Sequence, residues 1–408
     1  MSPSRRPGRS KSRPVRSVGD NLWKSSSRRN SVRAGSAKLK VEFASWAPQM
    51  WRGSVRGTTE FVVRRRAYTP RRNCYECSAR THMGMIMRMK AEWEPQQRVY
   101  MCFGSSNDPA LSKATLEAVR EDLVMLAQVI AKYMPVTMLF NAHDRSRAAE
   151  ICTGDIEPLF LQHYDIWARD TLGVPLWSEA GELAWLDMNF NVWGERYTSR
   201  GFQADRELAS LFARSHMGCS VRKASFVLEG GALDTDGAGT LMTTRSCVLH
   251  QRRNKDLDLA AADGMLRNET GARHVVWLPG YTGADDITRG HIDGIARFVA
   301  TGVVVMEGED THNLDALKAS RQPSGAEFTI IQIAPPRMTT TGAHDADTYM
   351  NFLVLNGAVL VPAFGDEERD GLAASALAAL FPDREIVPLR LDRLIAEGGG
   401  MHCVTLNV

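Results

Sequence analysis

An α/β fold built by repetition, radial or stacked rather than doubly wound, is what this sequence predicts. Three observations point there. A unit of strand, hairpin, helix and strand recurs about every 60–75 residues from residue 99 onward. Short apolar runs of strand length are joined in pairs by turn residues such as Thr301-Gly302 and Asn356-Gly357. The chain contains no G-x-G-x-x-G and no P-loop, the marks of nucleotide-binding sheets, and Gly398-Gly399-Gly400 lies before a strand rather than between strand and helix.

The elements follow in order. Residues 99–103 form a short apolar run, and 111–133 read as a helix with Leu116, Val119, Leu123, Leu126, Ala127 and Ile130 on one face. Strands are expected at 136–140 and 156–161. Residues 171–177 and 182–187 flank the hairpin signal Ser178-Glu179-Ala180-Gly181, and 206–215 read as a helix. The order then recurs: 226–232 with 240–249 across Asp234-Thr235-Asp236-Gly237, a helix at 256–269, a strand at 275–278. It recurs again as 292–298 with 303–307, a helix at 314–319 and a strand at 329–333. The last round is 351–354 with 359–362, an Ala/Leu-rich helix at 372–380 and a strand at 386–389, before 402–406 close the chain.

Composition bounds the function. With 44% hydrophobic residues the chain can fill a large core. Apolar runs stay at strand length, short of the roughly 18 residues a membrane helix needs. The seven cysteines are scattered, odd in number and without a secretory signal, which points to free thiols in a reducing, cytoplasmic setting. The net charge of +3 hides an asymmetry. Residues 1–86 hold 16 Arg and 4 Lys against 4 acids, a balance of +16, so residues 87–408 carry 3 − 16 = −13. An acidic main body concentrates cationic substrates.

Residues 1–86 are rich in Arg, Ser, Gly and Pro and lack apolar periodicity, so most of the segment is expected to be disordered. A targeting peptide, a nucleic-acid-binding tail and an untranslated upstream stretch all fit. Under the last reading Met83, Met85, Met87 and Met89 are candidate starts. Cys74 and Cys77 form a lone CxxC, half of what a structural zinc site needs. The catalytic domain is expected over 87–408.

Four segments carry chemistry: Trp167-Ala168-Arg169-Asp170, Leu228-Glu229-Gly230-Gly231, Gly290-His291-Ile292-Asp293 and Gly398-Gly399-Gly400-Met401-His402-Cys403. Cys403 follows three glycines, which let a substrate approach the backbone; its thiol is either a nucleophile or a small buried hydrophobe. His291 and Asp293 would face the same way on a strand, as parts of a pocket, a surface strand or two ligands of a metal. Asp170 beside Trp167 can receive a flat cation against a ring face, or pair with Arg169 on the surface. Glu229 can orient His291, contact substrate or end a solvated hairpin. In combination these groups suit a guanidinium, whose N–H fork carboxylates match two at a time.

Together with Ala91-Glu92-Trp93-Glu94-Pro95-Gln96, these segments resemble the agmatine deiminase family, within the peptidylarginine-deiminase group of guanidino-modifying enzymes. The resemblance runs from about Met89 to the C-terminus and includes Phe190-Asn191-Val192-Trp193-Gly194, Thr348-Tyr349-Met350-Asn351-Phe352 and Val361-Pro362-Ala363-Phe364-Gly365-Asp366. It implies a pentein α/β-propeller of pseudo-fivefold ββαβ units, without cofactor or metal. It implies Cys403 as nucleophile, His291 as acid/base, Asp170 and Asp293 as guanidinium-holding carboxylates, and Glu229 as a supporting acid. Trp167, Asn191 and Trp193 would line the substrate, and a homo-oligomer is expected. Arg289 stands where many relatives carry an acidic or amide residue, and it or Arg196 would suit the carboxylate of arginine rather than agmatine. A non-catalytic binding protein with a basic tail is the remoter alternative.

Overall fold

The computed structural model describes residues 87–106, 112–195, 202–281, 287–337 and 346–408. The basic extension, the Cys74–Cys77 pair and Arg196 lie outside the described residues. Every described residue belongs to one compact unit.

The described residues form five small sheets. Each contains an antiparallel pair followed by a crossover helix and a parallel strand. In the first, Thr405–Asn407 runs antiparallel to Val99–Cys102, which pairs in parallel with Val136–Phe140 and on to Ile156–Phe160. The second joins Val174–Ser178 to Leu183–Asp187 and then Ser220–Lys223, with Met87–Arg88 added along its edge. The third runs Asp234–Thr235, Thr240–Thr244, His274–Leu278. The fourth runs Ala296–Ala300, Val303–Glu307, Thr329–Ile333. The fifth runs Leu353–Val354, Ala358–Pro362, Glu385–Leu389. The C-terminal strand completes the first sheet by pairing with Val99–Cys102, so the last strand of the chain joins the strand that opens the repeats.

The crossover helices are amphipathic where the sequence says so. Lys113–Ile130 is capped by Ser112, whose Oγ accepts from Thr115 N at 3.1 Å, and it buries the predicted face from Leu116 to Ile130. Burying each such Leu or Ile contributes about 1.5–3 kcal/mol. The largest apolar cluster joins the first and fifth sheets through Val99, Met138, Leu123, Leu360 and Leu377. Among the described residues no helix is long and apolar enough to cross a membrane.

The structure corrects several expected strands, all but one at the same place in the repeat. Residues 226–232 are not a strand; the inner strand is only Asp234–Thr235, and Gly230–Ala232 is a 3-10 turn. Residues 292–298 begin with the 3-10 turn Ile292–Gly294, 351–354 begin within the turn Tyr349–Asn351, and 402–404 are turn before Thr405–Asn407. Thr171 closes the short helix Ala168–Thr171 rather than opening the strand expected over 171–177, and, elsewhere in the repeat, 240–249 leaves the sheet at Thr244 for a helix at Arg245–Val248. Apolar side chains mark these segments as buried, but burial does not distinguish a strand from a tight turn. Each inner strand is thus preceded by a short turn, and the five turns deliver side chains to one place.

Candidate active site

Asp170 comes from the turn Ala168–Thr171 and Glu229 caps Gly230–Ala232. His291 and Asp293 flank and occupy Ile292–Gly294. Asn351 ends Tyr349–Asn351, and Cys403 lies two residues before the last strand. His291 and Asp293 therefore meet on a 3-10 turn, not on the strand expected for them, and both still face the cluster. Asp170, Glu229, His291 and Asp293 are buried, while Cys403 keeps partial exposure.

Gly231 marks the centre. A β-carbon there would stand 2.6 Å from His291 Nδ1 and 3.1 Å from both Asp170 Oδ1 and Asp293 Oδ2. Only glycine leaves open the space that these three groups share. Its N–H donates to Asp170 Oδ1 at 3.0 Å. Trp193 Nε1 donates to the other oxygen, Oδ2, at 2.9 Å. His291 faces Asp170 through Nδ1 at 3.8 Å and Glu229 through Nε2 at 3.2 Å. Behind them Arg253 Nε lies 2.9 and 3.0 Å from the two Glu229 oxygens, with both side chains fully buried. The sulfur of Cys403 is 3.7 Å from Asp293 Oδ2 and receives Asn351 Nδ2–H at 3.2 Å.

Electrostatics follow from this crowding. Burial pushes the Asp170 carboxyl up and the neighbouring Glu229 and Asp293 add to it, only partly offset by His291 and Trp193. Burial would also raise Glu229, but Arg253 and His291 outweigh it and hold the carboxyl below its ordinary range. Asp293 is likewise held low against burial, first by its hydrogen bond to His402. Burial favours the neutral His291 imidazole, yet Asp170, the Cys247 sulfur and Glu229 together raise its pKa well above the ordinary value. The Cys403 thiol is pushed well up by removal from water and by Asp293 and Asp170. In the free site the proton therefore stays on sulfur.

The aromatic members sit differently from one another. Trp167 packs against the glycine run, where a β-carbon on Gly399 would stand 2.3 Å from its ring. Trp193 belongs to a run of left-handed backbone in which Asn189, Val192, Trp193 and Glu195 have φ of 56°, 63°, 51° and 57°. Non-glycine residues resist that region at about 1–2 kcal/mol each, and the run aims the indole at Asp170. Such strain concentrates at functional sites. Asn191 is not brought into the cluster. Its Nδ2 donates to Arg252 O at 2.9 Å and its Oδ1 accepts from Gly194 N at 2.8 Å, so the carboxamide shapes the loop. Arg289 also has a left-handed φ of 64°, and Ser246 Oγ holds its carbonyl at 2.7 Å.

Sequence reasoning missed two members, Asn351 and His402. Position in the repeat would have found Asn351, since its turn precedes an inner strand as the other four do. Glu229, Cys247 and His291 place ligand atoms within 4.8 Å of one another, a donor set compatible with zinc. A cation there would have to displace Arg253 from a fully buried carboxylate.

The family model for Porphyromonas-type peptidyl-arginine deiminase matches residues 88–408. The chain belongs to that family. A Legionella pneumophila relative is 33% identical over 333 residues, 78% of this chain and 94% of its own length. The agmatine deiminase of Pseudomonas putida is 31% identical over 350 residues, 78% of this chain and 94% of the relative. Among solved structures, the agmatine deiminase of Enterococcus faecalis superposes with a TM-score of 0.72 at 26% identity, covering 79% of this chain and 95% of that one. The deiminase family's fold is the pentein α/β-propeller, and the five sheets described above are its blades. Its members are hydrolases acting on guanidino C–N bonds, and so is this chain.

Proposed function

We propose that this deiminase hydrolyses agmatine to N-carbamoylputrescine and ammonia. One observation carries the reading: two carboxylates and an imidazole converge on the space left open by Gly231, and a cysteine sulfur borders one of the carboxylates. The named relatives support agmatine as the guanidino compound. The catalytic unit is proposed as 87–408, working as a homo-oligomer.

The chemistry follows from the charges. The substrate guanidinium lies between Asp170 and Asp293, whose oxygens accept its N–H groups and keep it cationic. Its positive charge offsets the two carboxylates that hold the proton on Cys403, so the thiolate forms with substrate in place and the proton leaves to solvent. Asn351 Nδ2–H then steadies the anionic sulfur. The thiolate attacks the guanidinium carbon and forms a neutral tetrahedral adduct. His291, already protonated by its acidic neighbours, gives its proton to one amino group, and ammonia leaves a cationic thiouronium on Cys403. Water attacks that carbon as His291 takes its proton. The C–S bond breaks, the thiolate is regenerated, and the ureido product forms as its excess proton passes to ammonia. Glu229, pinned by Arg253, keeps the imidazole oriented through both transfers.

The test is ammonia release from the purified protein with agmatine, arginine and a C-terminal-arginine peptide, beside Cys403→Ala. Turnover of agmatine, lost in the variant, supports the proposal. Turnover of arginine or the peptide alone keeps the mechanism and moves the substrate. No ammonia from any of the three sinks agmatine.

A further inference from the structure

The carboxylate that faces the nucleophile has a partner the reaction scheme leaves unused. His402 immediately precedes Cys403 and is almost wholly buried. Its Nδ1 lies 2.8 Å from Asp293 Oδ2, and its Nε2 lies 3.1 Å from Glu92 Oε1. Both ring nitrogens thus face carboxylates. A neutral imidazole has one N–H and would leave one of these contacts without a donor. A core histidine that merely fills space needs no such arrangement.

Glu92 is itself held from three sides. Besides His402 it meets Arg169 Nη2 at 3.0 Å and makes a close pair with Arg297 Nη2. Arg297 also reaches Asp234 at 3.3 Å, and Arg169 Nε donates to the His402 carbonyl at 3.3 Å. Burial would raise the Glu92 carboxyl, but Arg297, His402 and Arg169 reverse that and hold it far below its ordinary range. Glu92, Arg169, Arg297 and His402 border a cavity of about 80 Å³ beneath the turns. From the other side, the groups acting on Asp293 are His402, Cys403, His291, Arg297 and Asp170. His402 makes the shorter contact, 2.8 Å against 3.7 Å, to the Asp293 oxygen that the Cys403 sulfur also approaches.

We propose that His402 is a positioning residue: bridging two carboxylates through its two ring nitrogens, it ties Asp293 to the buried Glu92–Arg297–Arg169 cluster and so fixes the carboxylate that receives the guanidinium next to the nucleophile. The role rests on the deiminase reading above, and it is separable from a purely structural one. Asparagine places its amide near the Nδ1 position of histidine and keeps a donor to Asp293. Glutamine reaches toward the Nε2 position, keeps a donor to Glu92 and abandons Asp293.

The experiment is a pair of pH profiles on the full chain carrying His402→Asn, His402→Gln or Glu92→Gln. The first profile is kcat/KM for agmatine. The second is the rate of Cys403 alkylation by chloroacetamidine, a small cation, relative to neutral iodoacetamide; it needs no turnover. His402→Gln should lose on the order of 10- to 100-fold in kcat/KM, the worth of one charge-assisted hydrogen bond. Its acid limb should move to higher pH, because the donor that keeps Asp293 ionised is gone. Its preference for the cationic alkylator should fall in parallel. His402→Asn should keep the wild-type limb and lose only a few-fold, the worth of an ordinary neutral hydrogen bond. Glu92→Gln should move the limb in the same direction as His402→Gln, by less. If all three variants lose activity with superimposable profiles and unchanged alkylator preference, His402 is a structural plug and the proposal is overturned. If His402→Gln does not fold, Glu92→Gln and His402→Asn decide by the same criterion. If the wild type turns over no guanidino compound yet the alkylator preference shifts as stated, the function reading fails and the positioning role stands.

Discussion

Two arms of buried charge reach the site, built in the same order of arginine, glutamate and histidine, and one of them runs a residue further. On one, Arg253 holds Glu229 and Glu229 holds His291, so the imidazole stands at the reacting end. On the other, Arg297 holds Glu92, Glu92 holds His402 and His402 holds Asp293, so a carboxylate stands there. The inner residue decides the chemistry. An imidazole backed by a carboxylate stores and returns a proton. A carboxylate backed by an imidazole stays ionised and binds a cation. Cys403 lies where the second arm ends, its pKa raised by burial and then by the carboxylates that its substrate would neutralise.

The largest test of this comparison removes the atom that uses both arms. Cys403→Ala should lower ammonia release by roughly 10⁵-fold or more, to background, with near-UV circular dichroism unchanged. Activity within 10²-fold of wild type would mean that the arms serve some other nucleophile. Next, Asp293→Asn and Glu229→Gln should separate the two ends. The first should cost about 10³-fold in kcat/KM with KM rising, since the proposed mechanism places the guanidinium against Asp293. The second should cost about 10²-fold, almost wholly in kcat, since it acts through His291.

Glu229→Gln also strands Arg253 in the interior, which should cost about 3–5 kcal/mol by chemical denaturation. Adding Arg253→Met should restore much of that stability without restoring turnover. Recovery of turnover in the double variant would show that the arm is scaffolding only. A pH test comes next. Because the Cys403 thiol is raised in the free site, its alkylation by iodoacetamide should climb through a midpoint well above the ordinary thiol value. Guanidinium ion should move that midpoint to lower pH. An ordinary midpoint, indifferent to guanidinium, would break the link between the carboxylates and the sulfur. Smallest is Trp193→Phe, which deletes the indole donor to Asp170 and should lower kcat/KM about 5-fold, the worth of roughly 1 kcal/mol.

Much of this architecture was legible beforehand. The helix face from Leu116 to Ile130, the hairpin at Ser178–Gly181 and the order of the repeats follow from periodicity and turn chemistry, which are local. The strand Ser220–Lys223 was not foreseen, because it is a short polar run on a sheet edge with no alternation to mark it. The residues proposed for the reaction are picked out in the sequence by type and by resemblance. Their geometry is not, since each sits on a turn that burial made look like strand. His291 and Asp293 were expected together for the wrong reason. Asn191 and Trp193, two residues apart, part company in the fold: one shapes the loop and the other holds Asp170.

What the sequence determined by itself is therefore the repeat, the faces of its helices and the chemical inventory of the site, all set by neighbours within a few residues. The tertiary structure alone decided that Glu92 stands behind His402 and that Asn351 reaches the sulfur of Cys403. It also decided that Gly231 must remain bare so that three side chains can face one space. These pairings join residues from separate blades, and no local pattern records them. They exist because ring closure brings five turns together and burial then requires every charge there to find a partner.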